Sequence, residues 1–124
     1  MHMTELSSEV ENGVVELLAI IYRTVPWRKI HTSKNVWDIF NHRVRSACRR
    51  RTLYEFVSRL CNYFGLQSLP IEAQEIVEKL RPYEREILYT LEREHIAYCV
   101  RAIVRAKEIK EEKRKKEENN NGDS

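Results

Sequence analysis

The side chains best equipped for chemistry in this chain are arginines. Arg43, Arg45, Arg49, Arg50 and Arg51 crowd one short stretch, and Arg28 and Lys29 precede them. Residues 23–59 hold ten Lys and Arg against Asp38 and Glu55 alone, although the whole chain carries a net charge of only +3. A guanidinium presents a planar fork of donors that fits phosphate or carboxylate oxygens in pairs, so clustered arginines suit a polyanion better than a generic solvated surface would. Trp27, Trp37 and Tyr54 lie among these cations, where exposed rings would stack on bases. The sequence therefore predicts a nucleic-acid-binding surface built from Arg28, Lys29, Arg43, Arg45, Arg49, Arg50 and Arg51, for DNA or RNA. The alternative is an adaptor or inhibitor that docks on an acidic protein, with room for self-association. A third outcome would be both tryptophans in the core and the arginines paired with Glu5, Glu9, Glu11 and Glu16.

Other chemistry finds little support. His31, His42, Cys48 and Cys61 show no pair at zinc-ligand spacing, and no metal is expected. The chain has no Gly-rich phosphate loop, G-x-S-x-G, H-E-x-x-H or EF-hand run, so neither a cofactor nor catalysis is expected. Cys48, Cys61 and Cys99 form no C-x-x-C pair and fall near apolar helical positions, which reads as core packing.

These residues need elements to hold them, and the spacing predicts helices throughout. Ser8 and Glu11 match a capping box for a first helix, with Val10, Val14, Leu17, Leu18 and Ile21 on its apolar face; Pro26 ends it near Thr24. Ser33 or Asn35 caps a second, with Val36, Phe40, Val44 and Ala47 inside. Thr52 and Glu55 form another capping box, before Leu53, Phe56, Val57, Leu60 and Phe64, and Gly65 suits a left-handed cap. Pro70 suits the first position of a fourth helix, and Pro82 that of a long fifth running to about Glu118. On that last helix Leu88, Leu91, His95, Ile96, Cys99, Val100, Ala102, Ile103 and Ala106 share one broad arc, which predicts a central pillar with a core histidine. The expectation is all-α: a single compact domain of about five helices, orthogonal or bundle-like, over 8–106, with a flexible 1–7 and a charged extension over 107–124 that becomes disordered from Asn119.

Composition sets the remaining bounds. A chain of 124 residues fits one domain, and its 33% charged residues and three Gly favour helix. No window approaches the roughly 20 apolar residues of a membrane span. Glu5, Glu9 and Glu11 stand where a secretory signal would be basic, so the expected place is intracellular, cytoplasmic or nucleoid-associated.

Glu55-Phe56-Val57-Ser58-Arg59-Leu60-Cys61, then Leu66, Leu69-Pro70, and later Arg93, Ile96 and Ala102-Ile103 resemble a cyclin-box repeat of the transcription factor IIB type, including its archaeal counterpart, over Thr52–Ala106. The resemblance implies a helical module recruited to transcription machinery or nucleic acid. It carries over no DNA-reading residue, because the helix-turn-helix that would follow is replaced by the charged tail.

Overall fold

A computed structural model describes residues 6–27 and 35–122, with side chains through residue 118. Among the described residues every regular element is helical: α1 (Ser8–Thr24), α2 (Val36–Ala47), α3 (Leu53–Tyr63), α4 (Ile71–Leu80), a short 3-10 turn (Arg81–Tyr83) and α5 (Glu84–Gly122). They enclose one core, and among the described residues no helix is long and apolar enough to cross a membrane.

Local chemistry explains most boundaries. Ser7, one residue earlier than expected, caps α1 by accepting a hydrogen bond from the Val10 N–H at 3.2 Å. Leu6 packs against the core, so the ordered domain begins before residue 8. Val25 takes an extended backbone ahead of Pro26, which closes α1. Asn35 precedes α2 without a side-chain cap, and Ser33 lies outside the described residues. The Thr52–Glu55 capping box at α3 is complete in both directions. Gly65 has a φ of +71°, and its N–H and that of Leu66 turn back onto the Asn62 and Cys61 carbonyls, ending α3. Pro70 stands just before α4 and Pro82 inside the 3-10 turn, each slightly outside the helix it introduces.

The most enclosed element is α1 rather than α5. Leu17, Leu18, Ala19, Ile20 and Ile21 are all buried in succession, so neighbours surround α1 over this stretch, while Glu11 and Glu16 earlier in the helix stay only half-buried. α4 runs antiparallel to it, with Arg23 on Glu72 at 3.0 Å near one end and Leu80 against Gly13 near the other. A Cβ on Gly13 would stand 2.9 Å from a Leu80 methyl, so the glycine permits that approach. α5 runs parallel to α1: the Tyr98 hydroxyl donates to Glu11 at 3.0 Å, Arg101 to Asn12 at 3.3 Å, and Arg105 to Glu16.

α5 spans 39 residues, about 58 Å. Its backbone leaves helical geometry at Glu94 (φ −128°, ψ 30°), and no Pro or Gly adjoins that position to account for the kink. The helix continues to Gly122, beyond the expected onset of disorder at Asn119; Arg114 bonds Glu111 at 2.8 Å along this extension, the kind of pairing that prolongs an exposed helix. The expected apolar arc is only partly covered. Leu88, Leu91, Cys99, Ala102 and Ala106 are buried and Ile103 half-buried, but Ile96 and Val100 face outward.

Candidate nucleic-acid interface

α2 and α5 pack antiparallel, and the seam between them carries the charge. Arg45 lies close enough to His95 to act on it electrostatically, and Arg49 reaches Glu92 at 3.3 Å. The chain then turns through Arg50 and Arg51 into α3, whose first free N–H, that of Leu53, donates to the Glu84 carboxylate at 2.9 Å. That bond pins the start of α3 to the start of α5. The result is an open cleft of about 730 Å³ lined by Arg49, Arg50, Arg51 and Arg85, with Tyr89 and Glu92 beside them and Cys48 and Leu88 contributing apolar surface.

Among the described residues Glu92 is the single acid lining the cleft, and it is engaged by Arg49. Arg45, Arg50, Arg51 and Arg85 make no ion pair with a described carboxylate. The acidic face of α1 is not their partner: Glu11 and Glu16 are taken by Arg101 and Arg105 of α5. Tyr89, itself exposed, holds the Arg93 guanidinium 5.3 Å from its ring centre, so a cation and an aromatic face stand together at the rim.

The anticipated residues divide. Arg45, Arg49, Arg50 and Arg51 come together along the seam and its turn. Arg43 does not: residues two apart on a helix point to opposite flanks, and its guanidinium lies 4.7 Å over the Tyr63 ring, with Arg59 at 5.3 Å from the same ring. Arg28 and Lys29 lie outside the described residues. Trp27 is committed to the core cluster, its indole N–H donating to the Tyr22 carbonyl at 2.8 Å and its ring packed edge-on against Phe64 at 5.1 Å. Trp37 is exposed on the first turn of α2 and Tyr54 on the first turn of α3, and neither lines the cleft.

Arg85 and Tyr89 escaped the sequence reading. Their signal is the series Arg85, Tyr89, Arg93 at steps of four, a basic-aromatic row on one side of a helix. It was obscured because the second half of the chain balances its charges, and because nothing local places that row opposite Arg49–Arg51.

His95 is half-buried rather than a satisfied core histidine: its Nδ1 is enclosed and has no hydrogen-bond partner. Burial, and then the Arg45 guanidinium, push its pKa down from the ordinary 6.5, favouring the neutral ring. Burial also pushes the Cys61 thiol up to about 11 and the Cys99 thiol up to about 12, far from a reactive thiolate. Among the described residues no group of three His, Cys, Asp or Glu side chains is placed to hold a metal ion. Compared with models of known protein families, with curated proteins and with solved structures, the chain matches none.

Proposed function

We propose that the protein is a non-enzymatic nucleic-acid-binding module that grips phosphates in the cleft between the α2–α3 turn and the first turns of α5. One observation carries the reading: Arg49, Arg50, Arg51 and Arg85 line a single opening, and three of them have no carboxylate partner among the described residues. Unpaired guanidiniums gathered from two separate helical regions form a field that attracts a polyanion, and their forked donors fit phosphate oxygens. Tyr89 adds a platform on which a base can stack, with Arg93 against its ring. The charged groups lining the cleft are four arginines against Glu92, a balance that favours backbone contact over reading of base edges. The likeness of Thr52–Ala106 to a cyclin-box repeat suggests transcription as the setting.

The test is a titration of single- and double-stranded DNA and RNA across a range of salt. Four phosphate contacts give a slope of log K against log salt of about −3.6 on duplex and about −2.8 on single strands. Combined Arg50→Ala, Arg51→Ala and Arg85→Ala should remove about three quarters of that slope. Flat titrations with the folded wild-type protein would refute the reading. A partner retained after nuclease treatment and lost in the triple variant would instead identify an acidic protein as the occupant.

A further inference from the structure

Where α1 stops, α5 continues, and the step between them is a groove. Tyr98, Arg101 and Arg105 of α5 bond Glu11, Asn12 and Glu16 of α1 at separations of 87, 89 and 89 residues, so Thr24 at the end of α1 lies level with residues 111–113. Beyond that level α5 runs on, while the chain leaving α1 passes Pro26 and folds the Trp27 indole N–H back onto the Tyr22 carbonyl at 2.8 Å. The groove between them has a volume of about 820 Å³, within the range of roughly 300–1,000 Å³ that small-ligand sites occupy. Its apolar surface comes from half-buried Tyr22, Trp27 and Ile109, with Val25, Pro26 and Ala106. Tyr22 and Trp27 are tilted 41° against each other, their ring centres 5.2 Å apart, which offers a creased surface to an alkyl chain rather than a flat face to a base.

The charges around this groove are one-sided. After Ala106, Ile109 is the single aliphatic side chain of the extension, and it lines the groove. Lys107, Lys110 and Lys113 line it too, and they make no ion pair with a described carboxylate. The neighbouring acids Glu108, Glu111, Glu112 and Glu118 are held by Arg105 or Arg114 and stay out of the lining, which leaves Glu117 as its one acid among the described residues. Backbone acceptors at the end of α1 are also occupied: the Ile20, Ile21 and Tyr22 carbonyls receive the Thr24 hydroxyl, the Val25 N–H and the Trp27 indole N–H. We infer that the groove binds a single-chain anionic amphiphile, a free acyl carboxylate. Its chain lies along Tyr22, Trp27 and Ile109, and its head group meets the ammonium groups of Lys107, Lys110 and Lys113. The lysine stems widen the apolar surface while their charges remain at the edge in water, where a carboxylate also stays hydrated. A protein partner would need about 20–30 residues on this side of an interface, against the twelve that line the groove.

Calorimetric titration of the full chain with dodecanoate at pH 8, below its micellar concentration, tests the site without reference to nucleic acid. One saturable site with a dissociation constant on the order of 10 μM is expected. Dodecyltrimethylammonium, with the same chain and the opposite charge, should bind at least about tenfold more weakly. Combined Lys107→Gln, Lys110→Gln and Lys113→Gln alters three exposed side chains without ion pairs, so the fold is kept; it should weaken dodecanoate by about tenfold and abolish the preference for the anion. Combined Arg50→Ala, Arg51→Ala and Arg85→Ala should leave dodecanoate binding unchanged, which separates this groove from the arginine cleft. Trp37→Phe leaves Trp27 as the sole tryptophan, and its emission should shift with the same midpoint as the heat. No saturable binding up to on the order of 1 mM dodecanoate overturns the inference. So does an affinity that the lysine substitutions leave intact or the arginine substitutions remove, a Trp27 emission that ignores the bound ligand, or binding to acidic phospholipid vesicles alone.

Discussion

The contact that most directly fixes the geometry of the arginine cleft is the hydrogen bond from the Leu53 N–H to Glu84, and its removal has a calculable effect. α3 begins with N–H groups that no helical carbonyl reaches. Thr52 serves the one at Glu55, while Glu84, arriving from α5, accepts from Leu53 at 2.9 Å in a half-buried setting. A hydrogen bond to a charged partner contributes about 1.5–3 kcal/mol when shielded, and partial exposure argues for the lower end. Glu84→Ala should therefore destabilise the fold by about 1.5 kcal/mol. At roughly 4 °C per kcal/mol for a chain of this size, Tm should fall by about 6 °C. Glu84→Gln keeps an acceptor but gives up the charge at a helix N-terminus, and should cost about half as much. Urea unfolding followed by helical circular dichroism reads both values, with an unchanged m-value showing that only stability has moved. Glu84→Ala within about 0.5 kcal/mol of wild type would refute the reasoning, as would Glu84→Gln costing as much as Glu84→Ala. Because this bond pins the turn bearing Arg49–Arg51 to the helix bearing Arg85, the alanine variant should also bind nucleic acid more weakly than its loss of stability alone explains.

Three further outcomes follow from other parts of the fold. His95 has a folded-state pKa below the ordinary 6.5, so below that pH the unfolded chain binds more protons and stability falls with acidity; His95→Gln should flatten this part of the curve of unfolding free energy against pH. Cys48, Cys61 and Cys99 are all buried, so an aromatic disulfide reagent should modify none of them in the native protein and all of them once it is unfolded. Arg105 joins Glu16 of α1 to Glu108 and Glu112 of its own helix with only a third of its side chain exposed, and Arg105→Ala should lower stability by about 1 kcal/mol in denaturant titrations, less at high salt.

Features that depend on a few consecutive residues were legible in the sequence. The capping box of Thr52 and Glu55, the left-handed Gly65 and the close of α1 before Pro26 each follow from sterics or hydrogen bonds acting within about four positions. The all-helical class follows in the same way, because apolar residues at three- and four-residue steps have no other regular use. The opposition of Arg43 and Arg45 was also implicit in helical geometry, although charge density alone grouped them together.

Periodicity defines an apolar arc, but neighbours decide how much of it disappears. Leu88, Ile96, Cys99 and Val100 looked equivalent along α5, yet on a helix packed against both α1 and α2 Cys99 is buried while Ile96 and Val100 stay in solvent. In the same way, Arg85 and Tyr89 join Arg49–Arg51 only because α5 returns antiparallel to α2 and Glu84 caps α3, contacts that cross more than thirty residues of chain. Composition established that cations were plentiful; docking of helices distant in sequence determined which of them share an opening, because burial and charge proximity are properties of the packed chain.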